Sequence, residues 1–137
     1  MLELNRIEEP FVFEVENEDG IRCTMDASEA IGGKKKGMRP MELLAASLAG
    51  CASIDITRIL TKKRIPTDKF SITIEAKRSD SLPSAFEWIL LNISLDKELP
   101  QDQVKKVVDL TLAKYCSVAA SLNKNISIRY TINDVPA

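Results

Sequence analysis

The chain contains no histidine, the residue most often used as a general base or zinc ligand. Within one subunit this excludes Ser-His-Asp and Cys-His nucleophile systems as well as His-ligated zinc sites. Cysteine is also scarce: Cys23, Cys51 and Cys116 lie far apart and form no Cys-x-x-Cys pair. Three scattered cysteines are either small buried hydrophobes or working thiols.

A strong charge imbalance and a long uncharged apolar run are missing too. The 19 basic and 20 acidic residues give a net charge of −1, which favours neither nucleic acid nor an anionic membrane as a partner. No run approaches the roughly 18 apolar residues of a membrane span. No basic region leads into an apolar segment near Met1, so we expect no secretory signal and a cytoplasmic location. A length of 137 residues suits one domain, 1–137.

The apolar pattern predicts a two-layer α+β fold. Residues 11–26 alternate around a turn and predict a hairpin, and 27–39 form a glycine- and lysine-rich loop. A long helix is expected from Pro40 to the basic residues before Pro66, followed by an antiparallel strand pair at 70–76 and 86–95. A helical stripe from Gln101 to about residue 123 and a strand at 126–132 complete the prediction. Periodicity does not decide whether the last helix breaks near Cys116.

Two segments of the chain resemble the signature motifs of the OsmC/Ohr family, the osmotically inducible and organic hydroperoxide resistance proteins. The first is PMELLAASLAGC, which ends at Cys51, and the second is KYCSV, which contains Cys116. The residues Met25-Asp26 and the segment CASID, residues 51–55, are most similar to the YhfA-like branch of that family.

The resemblance implies an OsmC-like fold, with antiparallel sheets packed around long central helices in an intertwined homodimer. It also implies reduction of organic hydroperoxides, with Cys51 as the attacking (peroxidatic) and Cys116 as the resolving cysteine. The reductant is expected to be a small dithiol, a lipoylated protein or a thioredoxin-like protein. No cofactor, no metal, no nucleic acid and no membrane are expected.

Elementary chemistry leaves a structural alternative for each cysteine. Both Cys51 and Cys116 could be packed core residues, and burial in apolar surroundings would raise a thiol's pKa. Asp55, one turn after Cys51, would oppose thiolate formation unless a cation neutralises it. If the helix breaks at Lys114-Tyr115, Cys116 would lie at a new helix N-terminus, where backbone N–H groups lower a thiol's pKa. Cys23 is interpreted as a strand residue without a functional partner.

The resemblance also points to a Glu and an Arg that organise the peroxide. Glu42 and Arg6 are the candidates, with Arg22 and Arg39 as further arginines. Nine residues at about 100° each place Glu42 and Cys51 on opposite faces of a straight helix.

Glu42 could equally be a first-turn acid that complements the helix dipole. In the organic hydroperoxide resistance branch of the family that this chain resembles, the glutamate directly follows the proline, whereas here Met41 follows Pro40 and Glu42 comes next. This displacement keeps an alternative open: a non-enzymatic homodimer that binds a small ligand or senses redox state on the same scaffold.

Overall fold

A computed structural model describes all 137 residues and has a mixed α+β architecture. Its chain contacts divide into two compact units, Met1–Leu44 and Ala45–Ala137. The expected single domain therefore stays a prediction. The strands are β1 Leu2–Glu8, β2 Val12–Asn17, β3 Arg22–Met25, β4 Phe70–Arg78, β5 Phe86–Leu95, β6 Ser127–Ile132 and β7 Val135–Pro136; the α-helices are α1 Pro40–Lys62, α2 Gln101–Leu110 and α3 Ser117–Ser121.

The first unit contains a three-stranded antiparallel sheet in the order β1-β2-β3. The hairpin between β2 and β3 was predicted, and its turn depends on Gly20, whose φ of 75° suits a residue without Cβ. Strand β1 was not predicted from the pattern, because its charged residues interrupt the apolar alternation. It pairs with β2 through the whole length of both strands.

The loop after β3 is organised by the buried carboxylate of Asp26. This side chain accepts hydrogen bonds from the backbone N–H groups of Ala27, Lys34 and Lys36 at 2.7, 2.8 and 3.2 Å. The lysine side chains form ion pairs: Lys34 and Lys36 with Glu8, and Lys35 with Glu29. The lysine run is therefore a solvated, ion-paired loop.

Helix α1 follows the prediction from Pro40 and ends at Lys62. Its buried side chains are Ala45, Leu48, Ala49, Ala52, Ile56 and Leu60. With a mean hydropathy of 1.5, it is long and apolar enough to pass the length and composition test for a membrane span. That test allows two charged residues, whereas the longest uncharged stretch of α1, between Glu42 and Asp55, is well short of about 18 residues, so the expectation of no such uncharged run stands. Core helices of soluble proteins pass the same test, and 33% of this stretch of α1 is buried inside the chain.

The second unit contains a four-stranded sheet in the order β4-β5-β6-β7. Strands β4 and β5 are antiparallel, as predicted, whereas β5 and β6 are parallel, so this sheet is mixed rather than wholly antiparallel. The parallel pairing follows from the helical connection between β5 and β6. Apolar side chains of β5 and α2 form much of the core; the fully buried ones are Ile89, Leu91, Ile93, Val104, Val107 and Val108.

Candidate functional site

The fold of the second unit brings Cys51 and Cys116 into contact although 65 residues separate them (116 − 51). Cys51 lies in α1 and is half-buried, and Cys116 precedes α3 and is buried. Their side chains are within hydrogen-bonding reach of each other, and both are free thiols. The two thiols therefore interact directly, which is the first requirement for a disulfide between them.

Cys116 lies at a break in the helical segment that follows α2. The segment widens into a π-helical turn over Thr111–Tyr115, and the N–H of Cys116 donates to the Thr111 carbonyl oxygen at 2.8 Å. Cys116 then has extended backbone angles and is the N-cap of α3. Its sulfur accepts a hydrogen bond from the N–H of Ala119 at 3.5 Å. The helix thus breaks at Cys116, a point that periodicity left open, and Cys116 lies at a new helix N-terminus, as expected for an interrupted helix.

Burial is the largest influence on the Cys116 thiol and raises its pKa above the ordinary value. The N–H groups of Ala119 and Val118 act in the opposite direction, but they do not offset burial together with the hydrogen bond and charge of Cys51. The helix N-terminus therefore does not make Cys116 an acidic thiol. In this environment Cys116 stays protonated at neutral pH when it faces Cys51.

Arg58 supplies the cation that the sequence argument required beside Asp55. Its Nη1 lies 3.7 Å from Asp55 Oδ1, and the Asp55 side chain is largely buried while that of Arg58 is exposed. Cys51, Asp55 and Arg58 are spaced i, i+4, i+7, so they fall within about 60° of one helix face. Sequence reasoning named Asp55 but missed Arg58. The spacing of an arginine seven residues after Cys51 was the signal that could have found it.

Glu42 binds Arg39 and caps the start of α1. Its Oε2 accepts the backbone N–H of Arg39 at 2.9 Å, and its Oε1 accepts the Arg39 Nε–H at 2.9 Å. Arg39 precedes the first helical residue, Pro40, so Glu42 occupies the third helical position and makes the reciprocal half of a capping box. The side-chain hydrogen bond from Arg39, followed by the backbone one, lowers the pKa of Glu42. Glu42 is thus a first-turn acid of α1 that caps the helix.

The other candidates from the sequence lie in the three-stranded sheet. Arg6 is in β1, exposed, with Nη2 3.4 Å from Glu9 Oε1. Arg22 is in β3 and pairs with Glu14 and Glu16. Cys23 is in β3 as predicted, but its side chain is exposed rather than packed. No group of three or more Cys, Asp or Glu side chains among the 137 residues is arranged to hold a metal ion.

The family model described as "OsmC-like protein" matches residues 32–131, a range that contains both cysteines. The chain belongs to the OsmC-like family. The protein YhfA of Escherichia coli strain K12 is 31% identical over 130 residues, which is 94% of each chain. The predicted family and its YhfA-like branch are therefore confirmed.

Solved structures of OsmC-like proteins confirm the fold. A hypothetical protein from Aquifex aeolicus superimposes with a TM-score of 0.79 at 28% identity, over 96% of this chain and 94% of its own. A Legionella pneumophila protein described as an organic hydroperoxide resistance protein superimposes with a TM-score of 0.74 at 18% identity, over the same shares of the two chains. The second superposition shows that the OsmC-like fold is shared.

Proposed function

We propose that this OsmC-like protein is a cysteine-based peroxidase that reduces organic hydroperoxides. The observation that carries the proposal is the contact between the Cys51 and Cys116 thiols across 65 residues of sequence (116 − 51). Membership of a family that includes organic hydroperoxide resistance proteins adds support.

In the proposed cycle the Cys51 thiolate attacks the outer peroxide oxygen and the O–O bond breaks. The products are a Cys51 sulfenic acid and, after protonation of the leaving alkoxide, an alcohol. The Cys116 sulfur then attacks the sulfenic sulfur, which forms the disulfide and releases water. The half-buried position of Cys51 supports its attacking role, and the burial and raised pKa of Cys116 support a resolving role.

The cycle closes when an external dithiol reduces the Cys51–Cys116 disulfide. We propose a small dithiol, a lipoylated protein or a thioredoxin-like protein as the reductant, and the cytoplasm as the location. A homodimer is proposed as the working form. It is supported by large apolar side chains that the single chain leaves exposed in and near the three-stranded sheet, including Leu2, Leu4, Ile7 and Ile21.

The test is a thiol titration with cumene hydroperoxide under anaerobic conditions. One equivalent of peroxide should lower the free thiols of the wild type from three to one per chain, and mass spectrometry should find Cys51 linked to Cys116. Cys51→Ser should consume no peroxide. Cys116→Ser should react once and retain a sulfenic acid at Cys51 that dimedone captures.

Cys23→Ser is the matched control, because Cys23 is an exposed cysteine of the other unit. This variant should form the disulfide at the wild-type rate and sustain turnover with dithiothreitol. Undiminished peroxide consumption by Cys51→Ser would refute the proposal.

A non-enzymatic homodimer that binds a small ligand or senses redox state is the second candidate. The observation that favours it is the hydrogen bonding of Glu42 to Arg39. The glutamate that was the candidate for organising the peroxide is then part of a helix cap. A redox sensor would form the Cys51–Cys116 disulfide but would not turn over with excess dithiol. A ligand-binding protein would lose no thiols in the titration.

A further inference from the structure

A cavity of about 240 Å³ lies along the face of α1 that carries Cys51. It is lined by Asp55, Arg58, Ile59, Lys62, Leu110 and Tyr115. Asp55 follows Cys51 by about one helical turn, and Tyr115 directly precedes Cys116. Neither thiol lines the cavity, which begins about one helical turn beyond Cys51 and extends towards the C-terminal end of α1.

Positive charge predominates in this cavity. Arg58 and Lys62 follow Cys51 at i+7 and i+11, so both lie on the helix face that carries the thiol. Lys62 forms no ion pair, and Arg58 makes one loose contact of 3.7 Å with Asp55, the single acid in the lining. The guanidinium has five N–H donors, so one long contact leaves most of them available to an anion.

The remaining lining is apolar and aromatic. Ile59, Leu110 and Tyr115 provide a surface for a short hydrocarbon or aromatic body, and the Lys114 ammonium lies 5.6 Å from the centre of the Tyr115 ring. Pockets for drug-sized ligands occupy about 300–1,000 Å³, so this cavity fits a smaller molecule. Arg58 lies about 10 Å further along the helix axis than Cys51, at about 1.5 Å per residue, a distance that a single substituted aromatic ring can span.

We propose that this cavity makes the enzyme selective for small anionic hydroperoxides, with their carboxylate bound by Arg58 and Lys62 and their peroxide directed towards Cys51. The substrate assignment rests on the peroxidase function proposed above, whereas the binding of the anion does not. The reaction at sulfur is unchanged: the O–O bond breaks, Cys51 is oxidised to the sulfenic acid, and the hydroperoxide is reduced to its alcohol. The cavity acts by holding the anionic end of the molecule.

Binding is tested separately from chemistry with molecules that carry no peroxide. Titration calorimetry would compare 4-isopropylbenzoate with its uncharged amide on the reduced wild-type protein. The acid should bind about tenfold more tightly than the amide, a difference of about 1.4 kcal/mol. Arg58→Gln and Lys62→Gln should each reduce this preference. Added salt should weaken the binding of the acid but not that of the amide.

Lys63→Gln is the matched control, because Lys63 is an exposed cation next to the end of α1 that does not line the cavity. It should retain the preference for the acid. Equal binding of acid and amide, or an equal loss in Lys63→Gln and Lys62→Gln, would overturn the proposal. Circular dichroism of each variant excludes unfolding as the cause of a loss.

The substrate assignment is tested with the 4-carboxamide and the 4-carboxylate of cumene hydroperoxide, which are similar in size and differ in charge. The rate constant for Cys51 oxidation should be higher for the carboxylate by about the same factor of ten, and this ratio should fall in Arg58→Gln. A ratio near one in the wild type would overturn the substrate assignment. If the acid binds but neither hydroperoxide oxidises Cys51, the peroxidase function fails and the anion site stands.

Discussion

Cys51 and Cys116 are the same residue type in two different environments, and this difference carries the proposed division of roles. Cys51 is half-buried in a continuous helix, on the face that leads to Arg58 and Lys62. Cys116 is buried at a helix break, where its sulfur accepts an N–H hydrogen bond. Since the thiolate is the nucleophile, the environment of each sulfur sets its reactivity.

Cys116 should therefore be the slowest of the three cysteines to react with iodoacetamide at neutral pH. Burial limits the access of the reagent to Cys116 and raises the pKa of its thiol. Its thiolate fraction therefore grows only at a pH above that at which an ordinary thiol ionises. Its labelling rate should continue to rise at a pH where the rate of a small model thiol such as N-acetylcysteine has levelled off. Peptide mass spectrometry after timed labelling from pH 7 to 10 measures the three rates in one sample.

In Cys51→Ser the labelling profile of Cys116 should move to lower pH but stay above that of the model thiol. The charge of Cys51 is one cause of the raised pKa and disappears in this variant, whereas burial remains. Labelling of Cys116 at the rate of Cys23 at pH 7 would contradict the environment described for it.

At the scale of elements, α1 carries three distinct faces along its 23 residues. One face is buried by residues such as Leu48, Ile56 and Leu60, and a second bears Cys51, Asp55 and Arg58. The third contains Gly50 and Ile54, which the chain leaves exposed. The same periodicity that builds the core thus positions the candidate nucleophile beside a charged stripe.

Glu42 is expected to stabilise α1 rather than to take part in chemistry. Glu42→Ala should lower the free energy of unfolding by about 0.5–1 kcal/mol, because a first-turn acid and its hydrogen bond to the Arg39 N–H are lost. Glu42→Gln should cost less, since the amide oxygen can still accept that bond. Urea denaturation at pH 7 measures the difference from the wild type.

The pH dependence follows from the direction of the shift. The Arg39 side chain lowers the pKa of Glu42 in the fold, so the stabilisation is present above the unfolded value of about 4.3 and is lost as the pH falls through the lower folded value. The stability difference between wild type and Glu42→Ala should shrink below that range. A large loss of peroxide consumption in Glu42→Gln with unchanged stability would instead assign the residue to the chemistry.

Elements with a strong local signal were predictable, and features set by long-range pairing were not. The hairpin and α1 were predicted because alternation, Pro40 and Pro66 mark them in the sequence. The parallel register of β5 with β6 has no local signature, since it depends on where the helical connection returns. The contact of Cys51 with Cys116 came from family resemblance, and the pairing of Arg58 with Asp55 was missed although its i+3 spacing is visible.

At the scale of the whole molecule, the single chain leaves apolar surface that an assembly would cover. Leu2 and Ile21 are 72% and 68% exposed in the three-stranded sheet and its turn, and Ile54 is 63% exposed on α1. Monomeric proteins rarely leave large contiguous apolar patches exposed, although single exposed residues are common. Their recurrence on β1 and α1 supports the proposed homodimer.

Gly50→Ala distinguishes a monomer from a dimer that packs on the exposed face of α1. Within the chain a Cβ at Gly50 would meet no atom within 4 Å. In a monomer, alanine should therefore raise the free energy of unfolding by up to about 1 kcal/mol, because glycine is the poorer helix former. If the proposed dimer packs α1 against its partner at this position, the methyl group should weaken association instead.

We expect the second result: Gly50→Ala should dissociate at a higher protein concentration than the wild type in sedimentation velocity experiments. Its thermal midpoint should also depend more steeply on concentration, because folding and association are linked. Thr57→Ala is the control, since it changes another exposed position on this side of the helix without adding a carbon atom. A wild type that sediments as a monomer, together with a more stable Gly50→Ala, would contradict the homodimer because the open space at Gly50 would then face only water.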